Sequence, residues 1–245
     1  MAWKLTGALK RQPRIPADQR IYAIGDVHGR ADLLTDVFGQ IDSDLKARPI
    51  ETSVQVFLGD YIDRGPHSRQ VIDLLVERQN LHHVLFLKGN HEAYMSQFLS
   101  EPTILSQWQR VGGIDTLLSY GLKPTGQEDS EALRRMALTF GEVLTDTHRL
   151  FFERLNLSFT CGDFLFVHAG VRPGIPLQKQ SERDLLWIRE DFLLHEEDFG
   201  KIVVHGHTPA IEPEIRSNRI NIDTGAYATG RLTCLVLEGN ETRFL

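Results

Sequence analysis

The chain has 245 residues, 41% apolar and 24% charged, with 27 Lys plus Arg against 33 Asp plus Glu for a net charge of −6. That balance is ordinary for a globular protein and excludes collagen-like, fibrous and disordered classes. An acidic chain without a basic run argues against nucleic-acid binding, which rests on neutralised phosphates, and no apolar run reaches the ~20 residues of a membrane span. No secretory leader is legible at the start, and two cysteines, Cys161 and Cys234, make no disulfide framework. The expected setting is cytoplasmic.

Residues 1–20, with Lys10, Arg11, Arg14 and two prolines, read as an arm ahead of one domain over 21–245. An apolar run at 21–24 ends in Gly-Asp and predicts a buried strand. Leu33, Leu34, Val37, Phe38 and Ile41 recur at helical spacing over 31–42. A second strand is expected at 54–58, a helix at 68–78 and a third strand at 84–87, running into Gly89-Asn90-His91-Glu92. Strands alternating with helices imply β-α-β units and a parallel sheet. From 93 to 150 the pattern is mainly helical, broken at Gly112-Gly113, Gly121 and Pro124, with a helical insertion at about 100–150. Runs at 156–160 and 164–167 flank Cys161-Gly162-Asp163 as a hairpin signal. Strands at 201–204, 219–222 and 232–237 suggest a more antiparallel second half. The expected fold is α/β, with two packed sheets and helices outside.

The polar residues concentrate where apolar runs end. Asp26 and His28 follow the first strand, and Asp60, Asp63 and Arg64 the second. Asn90 and His91 follow the third, His168 a later one, and His205 and His207 another. In α/β sheets, ligands bind beyond the carboxyl ends of strands, so five strands deliver Asp, His and Asn to one edge. Each motif alone has an ordinary explanation as a turn or cap. Five together point to a metal site. Mixed Asp, His and Asn donors suit Mn, Fe, Zn or Co rather than Ca. One carboxylate between two donor groups suits a two-metal centre acting on phosphoryl groups. His67, His82, His83, His148 and His195 read as surface or core residues, and the two cysteines as inert buried thiols.

In this order, Gly25-Asp26-Val27-His28-Gly29, Gly59-Asp60-Tyr61-Ile62-Asp63-Arg64-Gly65 and Gly89-Asn90-His91-Glu92 resemble the calcineurin-like metallophosphoesterases. More narrowly they resemble the phosphoprotein phosphatase family. Val167-His168-Ala169-Gly170, Val204-His205-Gly206-His207-Thr208-Pro209 and Ile222-Asp223-Thr224-Gly225-Ala226 look like its bacterial and bacteriophage Ser/Thr phosphatase branch. The resemblance implies a four-layer αββα sandwich of two mixed sheets. It implies Asp26 and His28 on a first divalent ion, Asp60 on both, and Asn90, His168 and His207 on the second, with Mn foremost and Fe, Zn or Co as alternatives. His91 would be the general acid, oriented by Asp63. Arg64 would hold phosphate with a second arginine, Arg189 first and Arg172 second. His205 stays outside the ligand set, and Tyr227 would line the cleft.

The implied reaction is direct attack by a hydroxide held between the metals, on a phosphorylated protein or small phosphoester. A Ser/Thr protein phosphatase ranks first. The alternative is a symmetrical dinucleoside tetraphosphate hydrolase, and a non-catalytic metal-binding scaffold ranks third. The ranking rests on Asp63, which the resemblance implies the tetraphosphate hydrolases lack, and on Glu92 as a further carboxylate near His91.

Overall fold

The computed structural model describes residues 12–125 and 128–245. It opens with β1 (Gln19–Ile24), α1 (Ala31–Ala47), β2 (Thr52–Phe57), α2 (Ser68–Arg78), β3 (Val84–Phe86) and α3 (Asn90–Ser100). The insertion carries α4 (Leu105–Trp108), α5 (Gly113–Ser119), α6 (Ser130–Val143) and α7 (Asp146–Glu153). There follow β4 (Ser158–Cys161), β5 (Phe164–Val167), α8 (Glu182–Trp187), α9 (Glu190–Leu193), β6 (Ile202–His205), β7 (Glu214–Ile215) and β8 (Arg219–Asn221). The chain closes with α10 (Ala226–Thr229), β9 (Cys234–Glu238) and β10 (Glu241–Phe244).

The strands form two mixed sheets, in the orders β10-β9-β1-β2-β3 and β4-β5-β6-β8-β7. Strand alternation sorts the residues of β1 between two layers. Ile21 and Ala23 point between the sheets, where they meet Val56, Phe166, Val204, Ile220 and Leu235. Tyr22 and Ile24 point outward, into a core shared with Leu34, Val37 and Ile41 of α1 and Val71, Ile72 and Leu75 of α2. On the far face of the second sheet, Leu165, Val167 and Val203 pack with Leu185, Ile188 and Phe192. The result is the expected four layers.

Two expectations need correction. The centre of the second sheet, β5-β6-β8, is parallel, and only its edge strands β4 and β7 run antiparallel. The crossover from β5 to β6 runs through α8 and α9, of six and four residues, too short to show a helical period in the sequence. The final strands rejoin the first sheet, β9 pairing antiparallel with β1 and β10 with β9. Of the expected arm, residues 1–11 lie outside the described residues, and Gln19 and Arg20 already belong to β1, opposite Thr52 and Ser53. Among the described residues no helix is long and apolar enough to cross a membrane. Cys161 and Cys234 are free and buried, and burial pushes both thiols up.

Asp44 ties α1 to the first sheet. Its carboxylate accepts from Tyr22 Oη at 2.6 Å, Arg243 Nη2 at 2.6 Å and Arg20 Nη1 at 3.2 Å. Burial alone would raise its pKa, but the hydrogen bonds and the two arginines outweigh it and hold it below the usual range. A depressed carboxylate stabilises the fold above its unfolded pKa of about 4 and loses that contribution as pH falls through the folded value. Asp44→Asn should therefore cost about 2 kcal/mol near neutrality. Urea titrations of both proteins should show that gap closing below about pH 4.

Candidate active site

The five predicted strand ends do converge. The β1 and β2 loops are knitted together, the backbone N–H groups of Val27 and His28 both donating to Asp60 O. Among the described residues, the non-glycine positions with left-handed backbone are His28, Asp60, Asp63, Arg64 and His207. Such conformations cost about 1–3 kcal/mol each and gather at functional sites, where the surrounding structure holds them. All five were singled out from sequence, though no periodicity encodes their strain. Gly89 lets the third loop close on the second, because a Cβ there would strike the Asp60 carboxylate.

Asp60 stands between two groups of donors. With His28 and His91 it forms one set, and with His168 and His207 another, the donor atoms of each lying within 4.8 Å of one another. His28 Nε2 and His91 Nε2 are each 3.6 Å from Asp60 Oδ2, and His168 Nε2 is 3.4 Å from Asp60 Oδ1. Asn90 Oδ1 joins the second set, 3.0 Å from His168 Nε2 and 2.8 Å from His207 Nδ1. Asp26 is buried nearby, its Oδ2 accepting the His207 N–H at 3.0 Å.

The outer nitrogens fix the rings. His28 Nδ1 donates to Ile62 O and His168 Nδ1 to Leu58 O, both at 2.9 Å, which turns each Nε2 lone pair into the site. Burial pushes His28, His168 and His207 down, the last to about 2, so these rings are neutral, the form that coordinates metals. His91 differs. Burial opposes its charge, but Asp60 and the Asp63 hydrogen bond outweigh burial and raise its pKa. His91 Nδ1 donates to Asp63 Oδ2 at 2.6 Å, leaving Nε2 toward Asp60 Oδ2 and the donor set shared with His28.

These residues fit a pair of divalent ions. Asn90 Oδ1, His168 Nε2 and His207 Nδ1 crowd within 2.8–3.2 Å of one another with at most one proton, on His207 Nδ1, to share. Asp26 Oδ1 is buried without a partner. Burial, with Asp223 and Asp60 beside it, pushes Asp26 well above the carboxylate range. Burial raises Asp223 to about 6 as well, with Asp60 adding to it. An unpartnered carboxylate oxygen beside closely grouped acids and neutral imidazoles calls for added positive charge.

The remaining predicted residues fall as follows. Arg64 lies over the Tyr227 ring at 4.5 Å, and that ring meets His28 edge-on at 5.4 Å. Arg189 Nη1 donates to Thr208 Oγ1 at 3.2 Å, beside the His207 loop. Arg172 is committed elsewhere, to Asp184 and Asp191. His205 turns Nδ1 to Gly206 O and packs on Phe192, outside both donor sets. Glu92 interacts with His91 through charge, but its oxygens are engaged elsewhere. Its oxygens accept the backbone N–H groups of Asp60, Tyr61 and Gly89 at 2.8–2.9 Å, clamping the Asp60 loop to the start of α3. Sequence reasoning gave Asp223 no role and saw nothing of Trp108 and Thr116, whose hydrogen bonds reach Asp63 from the insertion.

The family model for calcineurin-like phosphoesterases matches residues 19–233. The chain belongs to that family. A bis(5'-nucleosyl)-tetraphosphatase PrpE, marked asymmetrical, from Anoxybacillus flavithermus is 28% identical over 240 residues, covering 89% of this chain and 91% of its own. A solved structure whose diadenosine tetraphosphatase assignment is itself provisional superposes with a TM-score of 0.62 at 16% identity, covering 94% and 95% of the two chains. A protein serine/threonine phosphatase from Saccharomyces cerevisiae superposes with a TM-score of 0.54 at 15% identity, covering 91% and 73%. The two structures share the fold. Family membership brings divalent metals and phosphoester hydrolysis, in keeping with the two donor sets on Asp60.

Proposed function

We propose that the chain is a two-metal phosphohydrolase acting on dinucleoside tetraphosphates. The observation that carries the chemistry is Asp60, shared between two compact donor sets at the strand ends. The substrate reading draws on relatives named as tetraphosphatases that match about nine tenths of both chains. It reverses the order drawn from Asp63, and the relatives' name favours asymmetrical over symmetrical cleavage.

Asp26, His28, Asp60, Asn90, His168 and His207 would hold the ions. When bound, two divalent ions supply Lewis acidity and a nucleophile at neutral pH. The chain's own residues do the rest. Arg64 and Arg189 flank the donor sets and would neutralise phosphate oxygens during in-line displacement. His91, held by Asp63, would give the Nε2 proton to the departing oxygen.

A second reading has its own support. The buried His91–Asp63 pair suits a strongly basic leaving oxygen such as a serine alkoxide, which favours a protein phosphatase. Incubation with diadenosine tetraphosphate and Mn, with products separated by ion exchange, tests both. ATP and AMP are expected, and two ADP would mean the symmetrical mode. A kcat/KM for phosphoserine or phosphothreonine peptides about tenfold above that for the dinucleotide would transfer the assignment to the protein phosphatases. Absence of turnover on either, with metal bound, would leave a scaffold.

A further inference from the structure

The insertion between α3 and β4 reaches the acid. Asp63 is fully buried, and its oxygens accept three side-chain hydrogen bonds. Oδ2 takes His91 Nδ1 at 2.6 Å and Trp108 Nε1 at 2.7 Å, and Oδ1 takes Thr116 Oγ1 at 2.5 Å. The Asp63 N–H donates in turn to Thr116 Oγ1 at 2.9 Å and Ser68 Oγ at 3.0 Å. Trp108 belongs to α4 and Thr116 to α5, so two of the three donors come from the insertion. Trp108 is itself fixed, buried against the rings of Phe98 and Phe140 at 5.4 and 6.3 Å.

The backbone shows the same engagement. Asp63 and Arg64 are consecutive left-handed residues, with φ of 73° and 66°. The Arg64 N–H donates to Gly112 O at 3.3 Å, and its Nε to Val111 O at 3.4 Å. A Cβ on Gly112 would lie 2.6 Å from Arg64 N, and one on Gly113 would enter the Trp108 ring. The glycine pair that reads as a helix break is a close-approach surface. It lets the insertion press on a turn that needs outside support.

We propose that Trp108 and Thr116 are positioning residues for proton transfer. They hold the Asp63 carboxylate in one orientation, so that His91 keeps its Nδ1–H on Asp63 and its Nε2 toward the leaving oxygen. The inference rests on the acid role given to His91, and not on which phosphoester is the natural substrate. The indole N–H and the hydroxyl act on the acid only through Asp63. Their loss therefore matters in proportion to how much protonation the leaving group needs.

Aryl phosphates of graded leaving-group basicity make the test. Trp108→Phe keeps the packed ring and removes the N–H. It should lower kcat on phenyl phosphate by about tenfold, the usual scale for a residue supporting a reacting one. On para-nitrophenyl phosphate, whose leaving group needs little protonation, kcat should change less than about twofold, with KM unchanged on both. Thr116→Val should repeat the pattern and Thr116→Ser should restore it. Equal losses on both substrates, or none on either, would overturn the proposal.

A second readout needs neither metal nor turnover. In protein labelled with ¹⁵N at the indoles, three tryptophan N–H signals are expected, for Trp3, Trp108 and Trp187. The one absent from Trp108→Phe should be protected from exchange and should move in Asp63→Asn. An unprotected signal, or one unmoved by Asp63→Asn, also overturns the proposal. The same variants on diadenosine tetraphosphate keep the two questions apart. Failure of the dinucleotide as substrate leaves the aryl phosphate and resonance results standing.

Discussion

Asp60→Asn should lower turnover by about three orders of magnitude on every phosphoester and should cost the protein bound metal. Asp60 is the member common to both donor sets, so its change touches both at once. The neutral amide removes the negative charge that faces His28, His91, His168 and His207, and it offers one oxygen where the carboxylate offers two. Two-metal activation is worth several kcal/mol, which converts to about 10³-fold in rate. The fold should survive. Asp60 has a φ of 53°, and asparagine tolerates that left-handed conformation as well as aspartate does. The amide oxygen can keep the bond that Asp60 Oδ1 now takes from the His91 backbone N–H at 3.1 Å. Elemental analysis and thermal melts beside the assay separate the causes. An active Asp60→Asn protein with two full metal equivalents would remove Asp60 from the centre of the site.

How much of this site the sequence could reveal follows from what each residue answers to. Asp26, His28, Asp60, Asn90, His168 and His207 stand directly after short apolar runs, so finding the strands finds them, and the parallel topology gathers them at one edge. Trp108 and Thr116 have no such mark. A tryptophan on a four-residue helix and a threonine on a seven-residue helix sit in no motif, and only the folded path brings them to Asp63, 45 and 53 residues away. Glu92 is legible only in part. Its charge does reach His91, as adjacency suggests, but its oxygens also clamp the Asp60 loop and cap the N-terminus of α3, which no spacing in the sequence encodes. The parallel centre of the second sheet escaped for a related reason. Crossover helices of six and four residues carry too little periodicity to separate a crossover from a loop. Arg64, Tyr227 and Arg189 come from three distant segments, and the contacts that bring Arg64 onto the Tyr227 ring and Arg189 onto Thr208 arise only in the folded chain.

His91→Asn should slow hydrolysis of phosphoserine peptides by about 10²–10⁴, the usual worth of a positioned general acid, while leaving metal content intact. The second half of that expectation matters because His91 stands with His28 and Asp60 in one donor set. As a metal ligand, His91 would be lost together with an ion, and every substrate would suffer alike. As the acid, it would be missed in proportion to leaving-group basicity. The serine alkoxide is the most basic and should show the largest loss. A nucleotide phosphate leaves far more readily, so diadenosine tetraphosphate should show a smaller one, and para-nitrophenyl phosphate a small one as well. The contacts favour the acid. Nδ1 is bound to Asp63 at 2.6 Å, and the Asp60 charge with the Asp63 hydrogen bond pushes His91 up while burial holds His28, His168 and His207 down. An imidazole that retains its proton donates, and one that has lost it coordinates. Loss of one metal equivalent in His91→Asn, with equal rate losses on all three substrates, would make His91 a ligand and leave the departing oxygen to be protonated by another group.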